Sequence, residues 1–79
     1  MAMGGGKQLS DVTIGSRAEV LQVRGPAAPR LFDLGVLPGT AVEVVLRAPL
    51  GDPIVLAVRG TQLGVRLRDA AGILVRIVP

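Results

Sequence analysis

The side chains that could do chemistry in this chain are few and lie far apart. Among 79 residues there is no His and no Cys, so the usual general base and the preferred ligands of zinc are missing. The six Asp and Glu residues include no close pair, and the nearest two in sequence are Asp11 and Glu19. Ser10 and Ser16 lack a candidate base to activate their hydroxyls. We therefore expect a protein that is not an enzyme, with no catalytic residues and no cofactor.

Basic side chains outnumber acidic ones in the chain. Nine Lys and Arg against six Asp and Glu give a formal net charge of +3 and a pI near 11.2. Such an excess favours solubility, and it also attracts acidic proteins, anionic lipids or nucleic acids. One hypothesis is therefore a basic barrel that binds nucleic acid or another protein. The absence of Trp and Tyr argues against nucleic acid, because single strands usually stack on exposed aromatic rings.

Apolar residues make up 49% of the chain but form no long run. The longest aliphatic stretch, Ile54–Val58, is far shorter than the ~20 residues that span a bilayer. The N-terminal residues also lack the apolar core of a signal peptide. We expect no membrane insertion and a cytoplasmic location. Residues 1–8 are small and Gly-rich, which predicts a flexible segment, and residues 9–79 are expected to form a single domain.

Periodicity and turn residues predict a mainly β domain of about five short strands, a pattern typical of a small barrel. The predicted strands are 17–24, 40–47, 54–59, 61–67 and 73–78. One short helix is predicted after the first strand, over 26–34, and one helical turn before the last, over 68–72. Residues 9–12 are expected to form a short anchoring turn.

The same periodicity assigns several side chains to the core. Helical spacing places Phe32, the only aromatic residue, on the inner face of the helix. Alternation places Leu46 on the inner face of its strand. Val20 and Leu21 are apolar neighbours, which predicts either a bulge or a strand covered on both faces.

One ordered combination of motifs is more specific than any of its parts. Leu34-Gly35 is suited to end a helix, and Leu37-Pro38-Gly39-Thr40 predicts a type II turn. A Val-rich strand, the tip 48–53, a second strand, Arg59-Gly60, a third strand and 68–71 then follow in order. From about residue 16 to residue 78, this arrangement closely resembles the FeoA family. Members of that family are small cytosolic partners of the bacterial ferrous-iron transporter FeoB.

The resemblance implies an SH3-like β-barrel and a regulatory role in ferrous iron uptake. It implies binding to the cytoplasmic, GTP-hydrolysing part of FeoB. An arginine supplied to that GTPase could neutralise charge in the transition state of phosphoryl transfer. The candidate donors are Arg47, Arg59, Arg66 and Arg68, although all four equally fit the description of solvated surface cations.

Surplus apolar residues supply candidate partner-binding positions. A domain of this size buries about 60% of its unfolded surface, so some apolar side chains must remain outside. Exposed apolar area usually marks an interface, which a second copy of the chain could also use to form a homo-oligomer. The candidates are the leucines around the helix end and the hairpin tip together with two arginines: Leu31, Leu34, Leu37, Leu50, Arg47 and Arg59. An alternative for Leu50 is that it folds back onto the mouth of the barrel.

Descriptions of the family also attach transition metal ion binding to this module. The only ligands that this chain offers are Asp, Glu and backbone oxygens. Softer divalent metals prefer His and Cys. We therefore assign no metal site and expect any bound divalent ion to be weak or adventitious.

Overall fold

The computed structural model describes residues 6–79, and within them six strands form one antiparallel sheet. The strands are β1 (Lys7–Gln8), β2 (Arg17–Val23), β3 (Ala41–Arg47), β4 (Ile54–Val58), β5 (Thr61–Val65) and β6 (Ile73–Val78). Their order across the sheet is β1-β6-β2-β3-β4-β5. Helix α1 (Ala28–Asp33) connects β2 to β3, and helix α2 (Leu67–Ala70) connects β5 to β6. None of the helices in this part of the chain has the length and apolarity needed to cross a membrane.

The predicted mainly β class is confirmed, and β1 is added to the five predicted strands. Lys7 pairs with Val75 and Gln8 with Leu74, so the sheet begins two residues before the predicted domain boundary. These two residues were expected to be flexible. Composition cannot reveal such a strand, because its hydrogen bonds join backbone groups along the edge of β6. The same expectation for residues 1–5 lies outside the described residues.

One apolar core is built from the inner face of the sheet and from the connections that cover it. The buried residues include Leu9 and Val12, at the two ends of the expected anchoring turn, which is a 3-10 turn over Leu9–Asp11. The strands contribute most of the interior, led by Val20, Val44, Leu56 and Ile73, all fully buried. The two helices and the loop after α1 add Leu31, Val36 and Ala70. The core therefore fixes the backbone on which the exposed side chains stand.

Two bulges change which side chains face outward. The pairing of β2 with β6 shifts between Val20 and Gln22, so of the two predicted alternatives the bulge is the one that occurs, and Leu21 is exposed. The pairing of β3 with β4 shifts between Val44 and Leu46. One extra residue reverses the inward and outward alternation of a strand. The prediction of an inward Leu46 is therefore wrong, and its side chain is exposed.

The end of α1 is a Schellman motif, in which two backbone hydrogen bonds close the last turn. Gly35 has φ +95°, and its amide donates to the carbonyl of Phe32 at 3.0 Å. The amide of Val36 donates to the carbonyl of Leu31 at 2.9 Å, and both of these side chains are buried. Because Leu31 and Val36 fill the inward positions, Phe32 is 40% exposed. Its predicted place in the core is wrong.

Candidate partner-binding surfaces

Three exposed apolar side chains, Phe32, Leu34 and Leu37, form what we call the helix-end surface. Leu34 caps α1, and Leu37 starts the predicted turn, in which the amide of Thr40 donates to the carbonyl of Leu37 at 3.0 Å. Gly39 has the positive φ, +90°, that a type II turn requires. Its amide donates to the carbonyl of Val20 at 2.7 Å, which ties the turn to β2. The backbone that carries these exposed side chains is thus fixed by hydrogen bonds.

Leu31, a fourth candidate from this region, belongs to the core instead. Only 1% of its surface is exposed, because the Schellman motif turns it inward against Val36. Its side chain is not available to a partner, so it leaves the set of candidate anchors. Phe32 takes its place, and sequence reasoning missed it. Gly35 is the residue that could have predicted this exchange. A glycine at that position indicates a Schellman motif, in which Leu31 and Val36 pack together beneath the helix end.

Arg59 lies in the turn between β4 and β5. Its φ is +51°, and its side chain is exposed. The preceding residue, Val58, packs close to Gly35: a Cβ placed on Gly35 would lie 3.9 Å from Val58 Cγ1. Arg59 also lines a shallow cleft of about 260 Å³ together with Arg17 and Glu43. The backbone that precedes Arg59 thus approaches the end of α1, while its side chain borders this cleft.

A second exposed apolar feature is the β3–β4 hairpin tip, residues 48–53. Leu50 is 96% exposed, which excludes the alternative that it folds onto the barrel mouth. Hydrogen bonds hold the tip in shape: the amide of Gly51 donates to the carbonyl of Ala48 at 2.7 Å, and the amide of Ala48 donates to the carbonyl of Pro53 at 2.9 Å. The amide of Leu67 donates to Asp52 Oδ1 at 2.9 Å, which ties the tip to α2.

Arg47, at the base of this hairpin, is engaged inside the protein. Its Nη2 donates to the carbonyl oxygens of Ser10 at 3.0 Å and Val12 at 2.8 Å. The half-buried side chain thereby joins the N-terminal 3-10 turn to the end of β3. It is the least available of the arginines considered as donors to a partner's phosphate. Its geometry is that of a structural clamp.

The candidate residues form two separate groups and not one site. Strand β4 runs between them, with Ile54 next to the hairpin tip and Val58 next to the helix end. A strand rises about 3.3 Å per residue, so these two ends of β4 lie about 13 Å apart.

Comparison with known proteins places the chain in a family. A family model described as the FeoA domain matches residues 7–77. The chain belongs to the FeoA family. This family is associated with ferrous iron transport.

Solved FeoA structures share the fold of this chain. The FeoA protein from Chlorobium tepidum is 43% identical, with a TM-score of 0.86 over 92% of this chain and 71% of that one. FeoA from Stenotrophomonas maltophilia, described as a prokaryotic SH3 domain protein, is 29% identical, with a TM-score of 0.76 over 85% of this chain and 86% of that one. The predicted SH3-like barrel is thereby confirmed.

One curated relative joins the FeoA module to a transporter. It is a fusion of Fe(2+) transport protein A with the Fe(2+) transporter FeoB, from Porphyromonas gingivalis. The two sequences are 32% identical over 73 residues, which is 90% of this chain. This chain spans 9% of the length of that fusion protein.

The donor set of this FeoA chain does not suit the metal that one relative holds. The Stenotrophomonas maltophilia structure is a complex with zinc. Zinc sites in proteins use mainly Cys and His, and this chain has neither. Within residues 6–79, no three Asp or Glu residues stand close enough to share an ion. We therefore derive no function through a resident metal.

Proposed function

We propose that this chain is an accessory protein of bacterial ferrous iron uptake. In this proposal it works in the cytoplasm, performs no reaction of its own and holds no cofactor. Its partner is the cytoplasmic, GTP-hydrolysing part of a FeoB-like transporter. Membership of the FeoA family supports the pathway, and the fused relative supports the partner. A covalent link keeps two modules at high effective concentration, which is useful when the modules bind each other.

The observation that carries the binding mode is the 96% exposure of Leu50 on a turn held by three hydrogen bonds. Where the backbone is already fixed, inserting an apolar side chain into a pocket costs little further backbone freedom. Such anchors often supply most of the energy of an interface. We therefore propose that Leu50 inserts into the partner, that Leu34 and Leu37 form a second apolar contact, and that Arg59 adds a charged contact.

Direct binding between purified components tests this proposal. The full chain would be titrated into the soluble GTP-hydrolysing domain of the FeoB protein from the same organism, in a calorimeter. We expect saturable binding that changes little between low and moderate salt, because apolar contacts are not screened. A parallel titration with single-stranded DNA tests the alternative, since binding to nucleic acid weakens steeply as salt rises. Binding to DNA without binding to the GTPase domain would reverse the assignment.

A further inference from the structure

An open cleft of about 730 Å³ lies between the start of α1 and the start of α2, and it shares no lining residue with either apolar surface. Three arginines dominate its lining, accompanied by one carboxylate and a short apolar wall: Arg30, Arg66, Arg68, Asp69, Pro26 and Ala27. We call this feature the arginine cleft. It is larger than the cleft of about 260 Å³ that Arg59 lines.

Unlike Arg47 and Arg76, the arginines of this cleft have no internal partner among the described residues. Arg76 forms an ion pair with Glu19, and Arg47 donates to backbone carbonyls. Within residues 6–79, the side chains of Arg30, Arg66 and Arg68 take part in no hydrogen bond or ion pair. Three positive charges therefore face one cleft with a single negative charge from Asp69. Such an arrangement repels itself and attracts anions.

The backbone beneath these arginines is held by hydrogen bonds. Arg66 follows β5 in an extended conformation, and its carbonyl accepts the amides of Asp69 and Ala70, both at 2.9 Å. The carbonyl of Arg30 accepts the amide of Leu34 at 3.1 Å. The backbone at Arg66 and at Arg30 is thus held by the local hydrogen bonds of its own helix. A fixed backbone reduces the ordering cost of binding.

We propose that the arginine cleft binds an acidic peptide segment of a partner protein. Each guanidinium can hold a carboxylate through two parallel hydrogen bonds. Asp69 is half-buried and acts only as an acceptor, so it suits the N–H groups that a peptide backbone also brings. Pro26 and Ala27 give an apolar wall for the side chains between the acidic ones. The mixed lining therefore matches a peptide in charge, hydrogen bonding and apolar contact.

Other anions use less of this lining. A free phosphate brings no N–H donor for Asp69 and no apolar group for the wall. A nucleotide base would seek an aromatic face, and Phe32, the only aromatic residue, does not line the cleft. An anionic membrane is broad and flat, whereas this lining is recessed. The inference does not depend on the proposed function, because the cleft shares no residue with the helix-end surface or the hairpin tip.

Fluorescence anisotropy with a labelled peptide of alternating glutamate and leucine tests the proposal. The full chain should bind this peptide and should bind the glutamine–leucine version at least about tenfold more weakly. Each of Arg30→Gln, Arg66→Gln and Arg68→Gln should weaken binding by about three- to tenfold, and the triple variant should abolish it. Arg17→Gln removes the same charge outside the cleft and should change binding less than about twofold.

Competition and mapping make the outcome decisive. Inorganic phosphate at millimolar concentration and vesicles rich in phosphatidylserine should fail to displace the peptide, and amide shifts in NMR spectra should centre on residues 66–69. Far-ultraviolet circular dichroism checks that each variant is folded.

The proposal is overturned if the triple variant binds as the parent does, if the neutral peptide binds equally well, or if phosphate or vesicles displace the peptide. Loss of peptide binding with intact binding to the GTPase domain would separate this site from the proposed function.

Discussion

The amide of Val36 donates a hydrogen bond to the carbonyl oxygen of Leu31 over 2.9 Å, and both side chains are buried. This hydrogen bond separates the side chains at the helix end into a buried pair, Leu31 and Val36, and a group that stays exposed. Phe32 and Leu34, which lie between the two bonded residues in sequence, are left at the surface. Neighbouring leucines therefore have opposite roles, and the difference is measurable.

Truncating Leu31 and truncating Leu34 should have unequal effects on stability. Leu31→Ala leaves a cavity in the core and should lower the free energy of unfolding by about 2–5 kcal/mol. Leu34→Ala, the matched control, removes a half-exposed side chain and should change it by less than about 0.5 kcal/mol. Urea denaturation followed by circular dichroism gives both values. Equal effects on the free energy of unfolding would contradict the assignment of Leu31 to the core and of Leu34 to the surface.

Gly35 should not tolerate a side chain. Its φ of +95° is strained for any L-residue, so Gly35→Ala should destabilise the protein by about 1–2 kcal/mol. The control is Gly64→Ala, because Gly64 has no positive φ and a Cβ there would meet nothing within 4 Å. That change should be neutral or slightly stabilising. Thermal unfolding of the two variants makes the comparison, and a stable Gly35→Ala protein would contradict the Schellman end.

Arg47 should matter for stability more than for binding. Arg47→Gln removes the guanidinium that bonds the carbonyls of Ser10 and Val12, and should lower the free energy of unfolding by about 1.5–3 kcal/mol. Arg59→Gln removes the same charge from an exposed turn and should cost less than about 0.5 kcal/mol. Unfolding by guanidinium chloride, used as the denaturant, measures both changes in the free energy of unfolding. The clamp assigned to Arg47 is refuted if the two variants are equally stable.

Ferrous iron should bind the isolated chain weakly at most. The chain has no His or Cys, and its described residues include no group of three carboxylates that could share an ion. Under anaerobic conditions, a calorimetric titration with ferrous iron should show no site of sub-micromolar affinity. A tight stoichiometric site would mean that backbone oxygens and scattered carboxylates assemble a ligand set that the donor argument missed.

Local sequence rules predicted most of this fold because each element carries its own signal. Gly35 and Pro38-Gly39 mark the helix end and the turn, and Val20 beside Leu21 marks the first bulge. The second bulge, which turns Leu46 outward, has no such signal, since it arises from the pairing of β3 with β4. The failure at Phe32 has a similar cause. Helical spacing counts apolar positions but does not show that Val36, beyond the helix, fills the core beneath it.

The candidate sites were less predictable than the fold. The place of Leu50 between Pro49 and Gly51 left two alternatives open, and only the structure showed that its side chain is exposed. Burial of Leu31 likewise depended on packing that only the assembled fold defines. The arginine cleft lay beyond sequence reasoning, because Arg30 is far in sequence from Arg66 and Arg68. Their convergence depends on how α1 and α2 lie against the same sheet.

The most direct test of the account is the affinity of Leu50→Asp for the soluble GTP-hydrolysing domain of the FeoB partner. Burying a carboxylate where a leucine anchored should weaken binding by more than about tenfold, while the stability of the chain stays unchanged. Leu21→Asp, in the β2 bulge, makes the same chemical change at an exposed site outside both surfaces and should retain the parent affinity within about twofold. Unchanged affinity for a folded Leu50→Asp protein would contradict the claim that this chain works by presenting an apolar anchor to its partner.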